Sequence, residues 1–269
     1  MNILYIGDIM GEAGLEVVEH ILPSLKTKLK LDLVIAQAEN TTAGRGISLV
    51  DFERTRRAGV DFCTGGNHSL FQKEINEAMA DPKVPIIRPA NYPSKTPGLG
   101  YKYIETKDGS VLIISLLGQI VGRDADKPVD NPLQTIDKIL GAEKSRAKVA
   151  TIVNFHGDFS SEKFVIGHYL DGKVSAVVGD HWHIPTADAD VLPGGTAHIT
   201  DVGMCGSLDS SLGVKYSDII PRWRNNTQTR NQLEKTGRMQ FNALLVEIDP
   251  SNGKATKAKH IRKIIPDLK

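Results

Sequence analysis

Two histidines, His181 and His183, follow an apolar run in VVGDHWHIPTAD (177–188). Imidazole nitrogen ligates borderline metals such as iron, zinc, manganese and nickel, and other apolar runs of the chain end in matching groups. NILYIGDI (2–9) reaches Asp8, LDLVIAQA (31–38) leads to Glu39 and Asn40, VDFCTGG (60–66) to Asn67 and His68, and the run starting at Lys148 to His156. Three histidines, two carboxylates and two amides make a mixed nitrogen and oxygen donor set. Such a set disfavours calcium and magnesium and points to a transition metal. No cysteine is among these residues, which disfavours a structural zinc site. A pair of ions about 3.5–4 Å apart needs a bridge and about three more ligands each. Glu39 can bridge, because a carboxylate has two oxygens.

Each residue also has a plain reading. Asp8 alone can cap a helix, Glu39-Asn40 can open a loop, and His156 can be a hydrogen-bonded core histidine. Their joint placement at strand ends carries the chemical reading. His20, His168, His198 and His260 are read as surface or hydrogen-bonded residues. GDIMGEAG (7–14) sits where a dinucleotide-binding turn would sit, but its spacing is G-x-x-x-G-x-x-G, and no P-loop lysine follows.

The elements that must position these groups are short β-branched runs alternating with helical patterns. Strands are predicted over 2–9, 31–38 and 60–66, each followed by a helix, with Pro23 expected to kink the first. The second and third helices are predicted over 48–59 and 70–80. A hairpin is predicted over 101–117, a helix over 131–144, and strand-then-loop units at 148–158 and 173–183. An antiparallel pair, 241–249 and 254–264, is predicted around PSNG. This rhythm implies α/β layering, with a mixed sheet flanked by helices or a sandwich of two sheets. Ligands of such sheets bind outside the carboxyl ends of the strands. No linker or repeat divides the chain, so one domain over 1–269 is expected.

The chain has 33 basic and 32 acidic residues, a net charge of +1. No whole-molecule field draws it to nucleic acid or to a membrane surface. No window is long and apolar enough for a membrane span, the N-terminus does not read as a signal peptide, and two unrelated cysteines give no disulfide framework. A cytoplasmic enzyme is expected. IVG (120–122) hints at an assembly surface and a homo-oligomer.

GDIMG, AEN, GGNH, NFHGD, GDHWH and LPGGTAHITDVGM, in this order, resemble the calcineurin-like metallophosphoesterases. More narrowly the chain resembles the YmdB-like bacterial phosphodiesterases, from Asn2 to about Asp249, and RPANYP (88–93) is similar to that branch too. The resemblance implies a four-layered α/β sandwich with a binuclear centre at one end. It implies Asp8, Glu39, Asn40 and His183 on one ion, and Glu39, Asn67, His156 and His181 on the other. It implies His68 as proton donor to the leaving group, iron as the native metal with manganese or zinc as alternatives, and cyclic nucleotides, 2′,3′-cyclic above all, as substrates. The reaction so implied is in-line attack at phosphorus by metal-bound hydroxide. Met10 stands where the wider superfamily has a histidine, Asp180 precedes the first histidine of the usual Gly-His-x-His, and Trp182 stands where the branch has a small residue.

Arg45 in TTAGRG (41–46) and Gly195 in PGGTA (193–197) can approach a phosphate, or both strings can be ordinary loops. Asn91 and Tyr92 either face the substrate or belong to a turn fixed by two prolines. KATKAKHIRK reads as a lysine-rich edge strand. Rival readings are a nucleotidase or phosphoprotein phosphatase on the same centre, or a regulatory, RNA-associated interaction protein with a structural metal site.

Overall fold

Short buried strands alternate with helices, as the apolar spacing predicts. The computed structural model describes residues 1–122 and 125–266. In chain order the strands are β1 (Asn2–Ile6), β2 (Asp8–Ile9), β3 (Leu33–Gln37), β4 (Phe62–Thr64), β5 (Tyr101–Thr106), β6 (Gly109–Leu117), β7 (Ala150–His156), β8 (Ala176–Asp180), β9 (Asp190–Val191), β10 (Ala197–Ile199), β11 (Met204–Ser207), β12 (Met239–Asp249) and β13 (Lys254–Ile265). The helices are α1 (Gly11–Lys28), α2 (Leu49–Arg57), α3 (Ile75–Ala80), α4 (Pro132–Ala142), α5 (Ser160–Tyr169) and α6 (Tyr216–Asn225).

The strands form two mixed sheets. The first runs β2-β11-β12-β1-β3-β4, with β13 on the other edge of β12. The second runs β5-β6-β7-β8-β10-β9. Side chains alternate across a strand, and β1 shows what that does here. Leu4 and Ile6 face one way, onto Leu15, Val18 and Leu22 of α1. Ile3 and Tyr5 face the other way, into a core shared with Ile113, Ile152 and Val178 of the second sheet. Beyond that sheet, Leu112, Ile114 and Val153 pack on Ile136 of α4 and Ile166 of α5. The layers are therefore helix, sheet, sheet, helix, the four-layered α/β sandwich expected. Strands buried on both faces read as continuous apolar runs rather than alternating ones.

Three local expectations need correction. The first run is two strands, because Gly7 separates β1 from β2; a Cβ there would lie 1.9 Å from the Gly203 carbonyl oxygen. Helix α1 continues through Pro23. Pro23 is on the exposed face, where its ring meets no core packing, and Thr27 Oγ1 donates to its carbonyl. The predicted 70–80 helix is only α3. Among the described residues no helix is long and apolar enough to cross a membrane.

Candidate metal centre and active site

Strands β1, β3 and β4 are mutually parallel, as are β6, β7, β8 and β10, so each sheet has one edge of carboxyl ends. The two edges meet. From the first sheet come Asp8, Glu39, Asn40, Asn67 and His68; from the second come His156, His181 and His183. His156 Nε2 lies 3.1 Å from Glu39 Oε1 and 2.9 Å from Asn67 Oδ1. The ring reaches them only because residue 66 is glycine: a Cβ there would stand 2.3 Å from His156 Cδ2.

Glu39 is buried at 1% exposure. Its Oε2 accepts the backbone N–H groups of Gly66 and, at 3.0 Å, of His68. Its Oε1 accepts no hydrogen bond among the described residues, although His156 Nε2 and, at 3.9 Å, His68 Nδ1 face it. Burial alone would raise this carboxyl. The facing His156, with His68 and His181 behind it, outweighs burial and holds Glu39 at about 2. Burial alone would likewise favour neutral His156, but Glu39 and Asp180 on its two nitrogens raise it well above an ordinary histidine. Ligation of a cation through Nε2 requires that proton to leave.

Asp8, wholly buried at the start of β2, accepts from Asn40 Nδ2 at 3.1 Å and from the His181 backbone N–H at 3.2 Å. His183 Nε2 lies 3.8 Å from the same carboxylate. Burial raises the Asp8 carboxyl against the pull of His183. A carboxylate only accepts, so the Asn40 amide turns its nitrogen to Asp8 and its oxygen to His68, whose Nδ1 lies 2.9 Å away. His68 therefore carries a proton on Nδ1 and turns Nε2 away from Asn40. His181 and His183 are both left-handed, with φ of 103° and 64°. That conformation costs on the order of 1–3 kcal/mol per residue and turns the chain sharply enough for both rings to face the rim.

The groups that hold this loop are less legible in the sequence. Asp180 Oδ1 lies 2.7 Å from His156 Nδ1, and its Oδ2 accepts from Tyr5 Oη at 2.9 Å and Asn154 Nδ2 at 2.6 Å. Asp180 is the carboxylate that orients the His156 ring. Lys163, fully buried on α5, donates to the Asp180 carbonyl and to Asp201 Oδ2, and Asp201 also accepts the Trp182 N–H at 2.9 Å. Asp158 Oδ1 lies 3.2 Å from His181 Nε2. The Trp182 indole donates to the Asp158 carbonyl at 2.9 Å and lies over Lys163 Nζ. Of these, Asp180 and Asp158 follow apolar runs like the candidates above, and that placement was the available signal.

The expected phosphate contacts divide. Arg45 lines the cavity that opens over the rim, together with Asn40, His68, His181 and His183. Asn91 does not line it. Its side chain is used up inside the protein, donating to the Leu117 and Asp130 carbonyls and accepting the Leu117 N–H. Tyr92 is buried behind the rim, its hydroxyl 3.4 Å from the Gly66 carbonyl. Gly195 is at the wrong end of the sheet: it precedes β10, whose first residue pairs with the start of β8, whereas the site lies at the end of β8. The later part of the same string reaches the site, through Asp201.

Among the described residues no three His, Cys, Asp or Glu side chains stand arranged to hold a metal ion; the polar groups of the rim pair with one another. Their chemistry nevertheless fits divalent ions. A buried carboxylate oxygen without a donor, an amide oxygen and an imidazole nitrogen converge from two sheets at Glu39, Asn67 and His156, and a second carboxylate, amide and imidazole converge at Asp8, Asn40 and His183.

The family model described as YmdB-like protein matches residues 4–261. A 2′,3′-cyclic-nucleotide 2′-phosphodiesterase of Bacillus subtilis is 37% identical, over 97% of this chain and 96% of its own. The crystal structure of a novel phosphatase from Mycoplasma pneumoniae superposes with a TM-score of 0.92 at 32% identity, covering 100% of this chain and 95% of that one. A calcineurin-like phosphoesterase of Bacillus subtilis, at 12% identity, shares the fold with a TM-score of 0.56, covering 98% of this chain and 90% of its own.

Proposed function

From the premise that this chain belongs to the YmdB-like protein family, we propose that it is a cytoplasmic, metal-dependent phosphodiesterase that hydrolyses cyclic nucleotides, with 2′,3′-cyclic phosphates preferred. The observation that carries the reading is the Glu39 carboxylate. One oxygen is fixed by two backbone N–H groups, and the other is buried, without a donor, between groups from both sheets. Asp8, Glu39, Asn40 and His183 would hold one ion and Glu39, Asn67, His156 and His181 the other. Iron is the favoured metal, with manganese or zinc as alternatives. Two such ions would supply an activated water and neutralise charge on the phosphate oxygens.

The chain's own residues do the rest. Arg45, on the cavity wall, offers a guanidinium to the phosphate. Water oxygen bonds to phosphorus, the bond from phosphorus to one ring oxygen breaks, and the ring opens to a phosphomonoester. The departing oxygen would take its proton from Nε2 of His68 in its imidazolium form, which carries a proton on each nitrogen, and the proton lost by the attacking water returns to solvent and recharges the ring. Asn40 holds the opposite nitrogen and so fixes which atom gives the proton. General acid help of this kind is worth roughly 10²–10⁴-fold. His68 lines the cavity and is not among the residues assigned to the ions.

The test is metal analysis of purified protein paired with a panel of 2′,3′-cyclic, 3′,5′-cyclic, linear and monoester phosphates. About two ions per chain and preferred turnover of 2′,3′-cyclic esters are expected. Preferred turnover of monoesters would give the place to a nucleotidase or phosphatase.

A further inference from the structure

The cavity over the rim is larger than the proposed mononucleotide needs. Its volume is about 1480 Å³, whereas small-molecule sites run to roughly 300–1,000 Å³. The segment around α6 forms its outer wall and adds two features that hydrolysis of a small ester does not use.

The first is charge. Arg45, Arg222 and Arg230 line the cavity. Arg222 donates to Thr229 and Asn231, which are neutral. Among the described residues none of the three pairs with a carboxylate. Among the described residues the one acidic residue in the wall, Asp158, is committed to His181 and to the Val121 N–H. A chain of net charge +1 therefore gathers at this mouth three arginines that no carboxylate pairs among the described residues.

The second is aromatic surface. Trp223 on α6 is 80% exposed and Phe71 57% exposed, and both line the cavity. Helix α6 buries none of its own residues, so Trp223 contributes nothing to the core. Arg45 lies over the Phe71 ring, 5.5 Å from its centroid. Guanidinium groups interleaved with open aromatic faces are the physical signature of a single-stranded nucleic-acid track, where phosphates meet the cations and bases stack on the rings.

We propose that this cavity takes the 3′ end of a single-stranded RNA that terminates in a 2′,3′-cyclic phosphate. The terminal phosphate lies at the metal centre, and the preceding nucleotides lie along Arg45, Phe71, Trp223 and Arg230. Such ends arise when a 2′-hydroxyl attacks its own neighbouring phosphodiester, so the supplying reaction is RNA cleavage by internal transesterification. The inference rests on the phosphodiesterase reading and narrows its substrate class.

Two measurements test it. On manganese-loaded protein, kcat/KM is compared for a 2′,3′-cyclic mononucleotide and for a five-nucleotide RNA with the same cyclic end. On metal-free protein, fluorescence anisotropy reads binding of that RNA carrying a 5′ dye, as a function of salt. The RNA is expected to be preferred by about tenfold or more, with affinity falling steeply as salt rises. Trp223→Ala and Arg230→Ala are each expected to cut the ratio of the two kcat/KM values about fivefold or more. Equal kcat/KM for the two substrates, with no salt-dependent RNA binding, overturns the inference and leaves the proposed function standing. Hydrolysis of neither substrate sinks the proposed function, and the anisotropy then decides the inference alone. A dimer that Trp223→Ala dissolves, without RNA binding, also overturns it.

Discussion

The two sheets bring different chemistry to one rim. The first supplies oxygen, from Asp8, Glu39, Asn40 and Asn67; the second supplies nitrogen, from His156, His181 and His183. They also hold their groups differently. The carboxylates of the first sheet are fixed by backbone N–H groups, of Gly66 and His68 on Glu39 and of His181 on Asp8. The imidazoles of the second are oriented by acceptors on their far nitrogens: Asp180 on His156 and the Leu212 carbonyl on His183. Neither half can complete a binuclear centre alone. The core between the sheets, where Tyr5 and Ile35 meet Ile152 and Val178, sets the spacing of the two donor sets.

Glu39→Gln breaks the comparison at its centre, because an amide has one oxygen and no charge where the proposed bridge needs a carboxylate. About 10³-fold loss of phosphodiester hydrolysis is expected, with bound metal falling below two ions per chain by elemental analysis; two retained ions would remove Glu39 as the bridge. His68→Ala leaves both halves in place and removes only the proposed proton donor. Metal content should persist while turnover of esters with poor leaving groups falls about 10²-fold. Full rate on such an ester would end that assignment.

Asp180→Asn weakens the nitrogen half selectively. Loss of an orienting carboxylate costs about 10–100-fold in metal affinity or activity, and a competition titration with a chelator would read it. Tyr5→Phe cuts one strand of the seam by deleting the hydroxyl shared between Thr64 and Asp180. A loss of about 1 kcal/mol in urea unfolding is expected.

The smallest effect is a pH dependence. Lys102 of the second sheet donates to the Asp81 and Val84 carbonyls, beyond α3. Burial lowers it to about 8 from the ordinary 10.5. Between those values the unfolded chain holds the proton that the folded chain has lost. Stability therefore rises with pH across that window relative to Lys102→Met. The same slope in both proteins would show that Lys102 does not lose its proton early in the folded chain.

The contrast between the halves also explains what the sequence displayed. Strands buried on both faces leave long apolar runs, so the ends of β3, β4, β7 and β8 and the run that reaches Asp8 were visible, and with them the polar residues there. Which end of the sheet a loop occupies was not visible, and that is why Gly195 was misplaced. Asn91 failed for a related reason: an asparagine that satisfies two carbonyls and an N–H inside a turn has the same letter as one that faces a ligand. Helix α5 was missed because Lys163, a residue type that reads as exposed, occupies a wholly buried position on it. Its partner Asp201 is paired across 38 residues of chain, and local patterning carries no trace of such a pair.

The position of β1 has a consequence for how the protein is made. It pairs with β3 on one side, Ile3 against Leu33, and with β12 on the other, Asn2 against Glu247. The ribosome therefore finishes one neighbour of β1 almost at once and the other roughly ten to forty seconds later. Until then a bare apolar edge is open to strangers. Slower translation between these two partners lengthens that exposure, and a holding chaperone would limit its consequences.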